Sequence, residues 1–563
     1  MDDLWMNGTE SALKKNERVN HRHAVWRLAS TLVTSIAMML LHPNLVRADA
    51  YDPPVNYYST ATGTGATLKN QLYGITASGF VGRSYGDFRN ASAILDADPK
   101  VPGNIQLVYN RASVSGTWDL GVTWNREHVW PQSLLGVSVS NAYVGVGSDL
   151  FELRPANPGI NSSRSNYPYG TIHAGSLPAY GLVASNNGTG TYWYPGAADR
   201  GEVARSLFYM ATRYGQGQAS NLTLVNGQPV VHQMGDLESL LHWNYQSPVD
   251  DTERQRNQYI YDPSLNPTYY QGNRNPYIDH PEYVWSIFGT GANTSQLSVA
   301  TPLVNGESTA NVNLGRVIRG SAFATQAVTI SKSGATPTTY DVLTSGAAAS
   351  TFAGPRHAFD YGSQSNVMQI GLTGSTGTAG PMTGSLTVHN TDLTSAASGQ
   401  GSADGNDVVQ VSGTVVDHSN ASFSRAGTQK SLTIDFGQAI QGSGTMRMSF
   451  SVADSSIGTT YTAGLNLDSI LASGNTSSFS TDLAAFSNLT AGSSTNYHFD
   501  FIPDSLGSFS ASYTLGVSDE NIPGATAGQN LLLNVIGTVI APEPATMALI
   551  LIPGILLIRR KRR

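Results

Sequence analysis

Cysteine is absent from the chain. Disulfides, thiolate metal sites and cysteine nucleophiles are therefore excluded, whereas export is not, because exported proteins need no disulfides. Charge is scarce as well: 13% of the 563 residues are charged and the formal net charge is -7. No chain-wide basic field attracts a polyanion, so any dealing with one must rest on a local site. Long apolar runs are also missing. The two terminal runs, Leu28 to Leu41 and Ala545 to Ile558, each have 14 residues, below the roughly 17 to 25 of a comfortable membrane span.

Glycine is plentiful, with 58 copies, and Ser and Thr are abundant, which suits turn-rich β structure. A chain of this length exceeds one ordinary core and implies several domains. Lys14, Lys15, Arg18, Arg22 and Arg27 precede the first apolar run, and Ala48-Asp49-Ala50 follows it. That order predicts a secretory signal over residues 1–50 with an unusually long basic region, cut by signal peptidase to expose Tyr51. At the other end Pro542-Glu543-Pro544, an apolar stretch and Arg559-Arg560-Lys561-Arg562-Arg563 succeed one another. Residues 542–563 resemble the PEP-CTERM sorting signal of Gram-negative bacteria. The resemblance implies an exosortase partner, transient membrane association through a short C-terminal helix, and a final place at the cell surface or in the extracellular matrix.

Composition changes near Gly289 to Thr294. Before it lie most of the Trp, Tyr, Arg and His; after it the chain is rich in Gly, Ser, Thr and Ala, which predicts a domain over 51–290 and a boundary there. The second half repeats itself. Leu314-Gly315-Arg316-Val317-Ile318-Arg319-Gly320-Ser321 returns as Phe436-Gly437-Gln438-Ala439-Ile440-Gln441-Gly442-Ser443, Thr338-Thr339-Tyr340 as Thr459-Thr460-Tyr461, and Val411-Ser412-Gly413-Thr414 as Val535-Ile536-Gly537-Thr538. The period of about 120 residues is a domain, not a solenoid turn. Alternating apolar runs such as Ala327 to Ser331 and Met446 to Val452 make each copy a β-sandwich, over 295–420 and 421–540. Spacing or adhesion, with surface polysaccharide as a partner, is the expected task of this pair. Asp404-Gly405-Asn406-Asp407 reads as a turn, with calcium binding the rarer use of such a sequence.

Chemistry concentrates in Trp124-Asn125-Arg126-Glu127-His128-Val129-Trp130-Pro131, in Ser148-Asp149-Leu150-Phe151-Glu152-Leu153-Arg154 and in Asn161-Ser162-Ser163-Arg164-Ser165-Asn166. Phosphodiester hydrolysis needs a base for water, a divalent cation for the phosphate and leaving oxygen, and cationic donors for the transition state. His128 titrates near neutrality and is the candidate base, Glu127 and Asn161 offer oxygens suited to Mg²⁺, and Arg164 can fork onto phosphate. These blocks, with Leu241-His242-Trp243, Glu253-Arg254-Gln255-Arg256-Asn257 and Gln271-Gly272-Asn273-Arg274-Asn275-Pro276-Tyr277-Ile278-Asp279-His280-Pro281-Glu282, resemble the bacterial endonuclease I family of secreted and periplasmic nucleases.

The resemblance implies an α+β domain around a ββα-metal finger, a water-activating His128, and Mg²⁺ on Glu127 and Asn161, with Mn²⁺ or Ca²⁺ as alternatives. It also implies cleavage of DNA, and of RNA as a further substrate, without sequence specificity and with 5'-phosphate ends. Arg164 and Arg274 are candidates for the phosphate, or else structural hydrogen bonders. Asp149, Asn166 and Glu253 are expected behind the site, Asp149 as a cap. His173, His232, His242 and His280 are expected to be structural, and Trp124, Trp130, Trp243 and Trp285 to lie in the core. The expected whole is thus an α+β nuclease, two tandem all-β sandwiches and a C-terminal hydrophobic helix. The rival readings are a catalytically silent surface adhesion or matrix protein on a nuclease fold, and a phosphatase of small esters. The assignment carries one geometric cost: neighbouring strand residues face opposite sides, so Glu127 and His128 share a site only where the strand ends or bulges.

Overall fold

The computed structural model describes residues 50–543, apart from 172–175, 185–189, 216, 305, 393–403 and 456–460. The expected signal segment, the apolar and basic parts of the sorting tail, and His173 lie outside the described residues. Two compact units are present. The first takes in the described residues up to Leu314 with Thr325–Gly374 and Thr383–Ser412; the second takes in Gly315–Ala324, Ser375–Met382 and the described residues from Gly413 onward. The compositional change near residue 290 therefore does not divide the compact units. The first β-rich segment clusters largely with the region that precedes it.

That preceding region is helical with short strand pairs. In chain order it contains α1 (Gly65–Ala77), α2 (Phe88–Leu95), β1 (Asn104–Gln106), β2 (Ser113–Ser115), β3 (Asn125–His128), α3 (Gln132–Leu135), β4 (Leu153–Ala156) and α4 (Pro158–Arg164). Then come β5 (Gly181–Ala184), β6 (Thr191–Tyr194), α5 (Arg200–Arg213), β7 (Thr223–Leu224), β8 (Gln233–Met234), α6 (Leu237–Gln246), α7 (Asp251–Tyr261), α8 (Pro276–Asp279) and α9 (Tyr283–Phe288). α5 is buried on every side from Val203 to Thr212, which makes it the central helix of this core. Trp124, Trp130 and Trp243 are buried around it in one cluster with Leu207, Phe208 and Met210. With no disulfide available, this burial carries the stability. Several helices begin on side-chain caps: Asp236 accepts from Ser239 N, Asp250 from Glu253 N and Asn275 from Tyr277 N, each supplying an acceptor for an otherwise unpaired first-turn donor.

β3 and β4 pair antiparallel, with Glu127 opposite Arg154 and His128 opposite Leu153. α4 follows β4 at once. Asn157 caps it by accepting from Gly159 N and Ile160 N, and Pro158 occupies the first turn, where its missing N–H costs nothing. The pair and the helix thus form one β-β-α corner.

The first β-rich segment, with parts of β10, β16 and β17 assigned to the second unit, has β9 (Gln296–Ser298), β10 (Thr309–Ile318), β11 (Gln326–Ser333), β12 (Thr338–Gly346), β13 (Ala348–Ser350), β14 (Gly354–Phe359), β15 (Gln364–Leu372), β16 (Gly380–Asn390) and β17 (Asp407–Val416). The second unit has β18 (Ala421–Ser422), β19 (Ser431–Ile440), β20 (Met446–Asp454), β21 (Leu465–Gly474), β22 (Phe479–Thr481), β23 (Phe486–Leu489), β24 (Ser494–Phe501), β25 (Gly507–Asp519) and β26 (Leu531–Ile540). Sheets β10-β17-β16-β12-β14 and β13-β15-β11-β9 share a core in which Ile330, Met368 and Ile370 meet Val312, Val342, Leu386, Val388 and Val409. Sheets β19-β26-β25-β21-β23 and β18-β20-β24-β22 do the same through Phe450, Phe499 and Phe501 against Leu467, Leu515 and Val535. Each is a two-layer sandwich. Strand by strand the two orders coincide, β9 corresponding to β18 and β17 to β26, so the sequence period of about 120 residues is a structural repeat. Among the described residues no helix is long and apolar enough to cross a membrane.

Candidate active site

The β-β-α corner opens onto a surface pocket of about 330 Å³ lined by Arg126, Glu127, His128, Asn161, Arg164 and Asn166, among others. Glu127 and His128 share it because His128 is the last residue of β3 and Pro131, the residue before α3, cannot extend a ladder. α4 supplies Asn161 and Arg164.

Each side chain is held differently. Glu127 is almost fully buried and accepts from Tyr109 Oη at 2.6 Å, while Arg164 Nε stands 3.4 Å from the same oxygen. Burial raises its carboxyl above the ordinary value, against Arg164 and the Tyr109 hydroxyl. Tyr109 Oη in turn lies 2.6 Å from Tyr169 Oη. Asn161 donates its amide N–H groups to Asn125 Oδ1 at 2.8 Å and to the Arg126 carbonyl at 3.4 Å, so Oδ1 is the atom left to accept or to ligate.

His128 is stacked on Tyr85, ring centroids 5.1 Å apart and 17° from parallel, and its Nδ1 lies 3.4 Å from Glu152 Oε1. Burial, then the charges of Arg126 and Arg164, push the imidazole down to about 3. The ring is therefore uncharged at physiological pH, and the expectation that it titrates near neutrality is corrected: burial makes it a weaker base than a free imidazole. Glu152 is anchored by accepting from Trp130 N at 2.9 Å. Burial raises Glu152 well above the ordinary carboxyl value, and the like charges of Glu127 and Asp149 add to this. Both ring nitrogens of His128, Glu152 Oε1 and Arg164 Nε are buried without a hydrogen bond. Unsatisfied polar atoms gathered at one point mark a site with more work than packing.

Arg164 lines the pocket, with most of its fork engaged by the main chain. Nη2 donates to the Val129 carbonyl at 2.5 Å, Nη1 to the carbonyls of His128 and Ser165 at 3.2 Å, and the guanidinium sits 4.5 Å over the Tyr169 ring. Of the two roles expected for this arginine, these bonds favour the structural one: it fixes the backbone after β3 and stands beside Glu127. Arg274 does not reach the pocket at all. It is fully buried, Nε and Nη2 each 2.7 Å from Asp279, with further bonds to Gln258 and to the Tyr51 carbonyl. A phosphate role for Arg274 is incompatible with a guanidinium so enclosed.

The residues expected behind the site divide. Asn166 lines the pocket. Asp149 is buried and accepts from Tyr209, Tyr214, Gln271 and Phe151 N, a cap of its own turn that feels the site only through the charge of Glu152. Glu253 instead holds Arg205 through two bonds of 2.6 and 2.7 Å, in a separate charged cluster. His242 contacts Asp360 and His280 contacts Glu282, each through Nδ1. Glu152, Tyr85, Tyr109, Tyr169 and Arg126 escaped the sequence reading. Glu152 had a signal in the Asp149 block; the tyrosines had none.

Residues 64–282 match the Endonuclease I family. The chain is 40% identical over 249 residues to the extracellular ribonuclease of Bacillus subtilis (strain 168), spanning 43% of this chain and 81% of that protein. It is 39% identical over 238 residues to the extracellular ribonuclease of Bacillus amyloliquefaciens, spanning 41% of this chain and 78% of that protein. A solved fimbrial adhesin, CfaE of enterotoxigenic Escherichia coli, covers 43% of this chain and all of its own at 9% identity, with a TM-score of 0.21, too low to bear on the fold. The class that these matches define is a nuclease, a hydrolase acting on nucleic acid. The chain belongs to the endonuclease I family.

Proposed function

We propose that the chain is an exported, divalent-metal-dependent endonuclease that cuts DNA and RNA without reading sequence and leaves 5'-phosphate ends. The observation that carries this reading is the meeting of Glu127, His128 and Asn161 in one pocket at the β3-β4-α4 corner, which we take as a ββα-metal finger. The donor set suits Mg²⁺: one buried carboxylate and one amide oxygen with no other partner recorded leave room for the waters that this ion keeps. The like charges of Glu127 and Asp149 add to the cost of ionising buried Glu152, a cost that a bound cation relieves. Glu127 and Asn161 would hold the ion, which supplies Lewis-acid stabilisation of the phosphate and the leaving 3'-oxygen.

The remaining work belongs to the chain. His128 accepts the proton of the attacking water; with Nδ1 facing Glu152, Nε2 is the atom left to receive it. Tyr85 and Glu152 keep the ring in place, and Tyr109 with Arg164 holds Glu127. The names of the relatives support RNA among the substrates and an extracellular place of work. The order of the terminal segments supports signal peptidase and exosortase processing and a Gram-negative surface or matrix, with the sandwiches on polysaccharide. Mass spectrometry of surface material should then find no Arg559 to Arg563; a retained tail would make it a plain anchor.

The test is cleavage of plasmid DNA and of single-stranded RNA by the purified chain with Mg²⁺ and with chelator. Cutting that chelator abolishes is expected. Cutting that persists in chelator would sink the metal assignment, and inertness toward both polymers would favour the silent adhesion protein.

A further inference from the structure

Next to the pocket the chain makes a turn that exposes apolar groups at some cost. Leu120 is 88% exposed and Val122 78% exposed. Leu120 has φ 64° and Gly121 φ 88°, so two consecutive residues adopt the left-handed conformation. Turns of that kind favour Asn, Asp or Gly, and leucine there is opposed by local sterics. Asp119 makes the turn rigid by accepting from Val122 N at 3.0 Å and from Thr123 N at 2.8 Å. A fixed, strained turn that shows leucine and valine to water is not explained by packing.

The turn is connected to the candidate active site by a column of rings and cations. Trp118, half-buried at the start of the turn, packs edge-on against Trp124 at 4.9 Å. The Arg126 guanidinium stands 5.3 Å from the Trp118 ring centroid and 3.6 Å from that of Tyr85, and Tyr85 stacks on His128. Arg126 also lines the pocket and is tied to the Tyr85 carbonyl at 2.6 Å and to Asn141 at 3.2 Å. Arg89 is near enough for its charge to act on Arg126. The series from turn to base is therefore apolar wedge, indole, guanidinium, phenol, imidazole.

We infer that this turn and column form a subsite for unstacked nucleobases, so that the enzyme grips single-stranded stretches of nucleic acid beside the scissile phosphate. This rests on the nuclease reading. Every base presents a π-face, so the half-buried indole holds bases without selecting among them, while the charge of Arg126, whose guanidinium lies against Tyr85, meets the phosphate between. Leu120 and Val122 are placed to enter between neighbouring bases, as apolar wedges do when they unstack a strand. A closed duplex keeps its bases out of reach, so the subsite favours single strands and breathing ends. Lack of sequence preference follows from stacking in place of hydrogen bonding.

The test uses the full chain in chelator, where binding is read without cleavage, by fluorescence anisotropy of one labelled oligonucleotide as a single strand and as a duplex. Trp118→Ala should weaken single-strand binding about tenfold, and Leu120→Ser, a change at a solvent-facing side chain that does not threaten folding, several-fold. Duplex binding should move less in both. Unchanged single-strand binding in both variants would overturn the subsite, and an equal loss on duplex would show that the turn meets the backbone and not bases. In Mg²⁺ the oligonucleotide KM should rise in each variant more than kcat falls, and more than for bis(p-nitrophenyl) phosphate, a diester without a base. A chain that binds single strands through the turn yet cuts nothing in Mg²⁺ would remove hydrolysis and leave the subsite standing.

Discussion

The region before residue 290 and the two sandwiches differ in how most of their buried acids are held, Asp149 in the first and Glu520 in the second being exceptions. In the first, buried carboxylates meet arginines: Asp96 is 2.9 Å from Arg256 and 3.2 Å from Arg154, Glu253 is 2.6 Å from Arg205, Asp199 is 2.7 Å from Arg111 and Asp279 is 2.7 Å from Arg274. In the sandwiches Asp404, Asp407 and Asp454 are equally buried but accept from backbone N–H groups of Leu297, Ser308 and Asn420. Among the described residues no arginine or lysine is ion-paired with those three. Helices joined by long loops need long side chains to bridge them, and a paired charge fixes the geometry of the bridge. Strand ends offer N–H groups within reach of a short aspartate, so a turn is tied locally. The charge of the candidate active site sits among the first kind, at Glu127, Glu152, His128 and Arg164, where the pairing is left incomplete.

If incomplete pairing marks the working site, removing His128 must cost rate and not fold. His128→Ala should lower cleavage by about 100-fold or more, the scale of general-base catalysis, with Mg²⁺ binding by calorimetry retained. Glu127→Ala or Asn161→Ala should weaken metal binding instead, and excess Mg²⁺ should restore part of the rate. Full-speed cutting by a folded His128→Ala protein would erase the distinction between the site and the other charge clusters.

The complete pairs predict the reverse. Arg274→Ala leaves Asp279 buried without its guanidinium, a change worth about 3 to 5 kcal/mol of stability, read by urea denaturation. The folded fraction should cut with the kcat of the parent chain. A lowered kcat with unchanged stability would return Arg274 to the mechanism from which its burial removes it.

A smaller effect belongs to the turn between β14 and β15. Asp360 accepts from His242 Nδ1 at 2.9 Å and from Gln246 at 2.7 Å, both on α6 of the same compact unit. Asp360→Ala should cost about 1 to 2 kcal/mol, and truncation after residue 290 should lower the melting temperature while leaving cleavage. Loss of cleavage on truncation would mean that the β-rich half takes part in the chemistry.

Why some of this was readable from sequence follows from the range of the interactions. The repeat was legible because β10 and β19, and β17 and β26, carry matching local landmarks at matching spacing. The pocket was legible because Glu127, His128, Asn161 and Arg164 come from two elements, β3 and α4, close together in sequence. Tyr109 and Tyr169 were not, since they reach the site from positions 60 apart and a tyrosine carries no mark of its partner. Arg274 shows the converse error. Its neighbourhood in sequence fits the family, yet what an arginine does depends on burial, which neighbouring letters do not specify. Burial bears on Arg164 too: residue type left phosphate contact and structural bonding open, and three main-chain carbonyls favour the second.

The smallest expected effect tests the sandwich side of the comparison through pH. Burial, the first cause, raises Asp454 to about 6 from an ordinary 3.8, with the like charges of Asp519 and Glu520 adding and the Asn420 N–H and Lys430 opposing. Above about pH 6 the carboxylate is ionised in both folded and unfolded chains, and its burial cost is felt in full. As pH falls from about 6 toward 3.8 the folded chain takes up a proton that the unfolded chain does not, so this group's contribution to stability grows on acidification and is lost as pH rises through about 6. Asp454→Asn keeps an oxygen for the Asn420 N–H and removes the charge. Its effect at pH 7 should stay within about 1 kcal/mol, but the difference in urea midpoint between the two proteins should shrink or reverse between pH 7 and pH 4. A difference that stayed constant over that range would mean that Asp454 is satisfied as an ion, and that the sandwiches tolerate buried charge by the same pairing as the region before them.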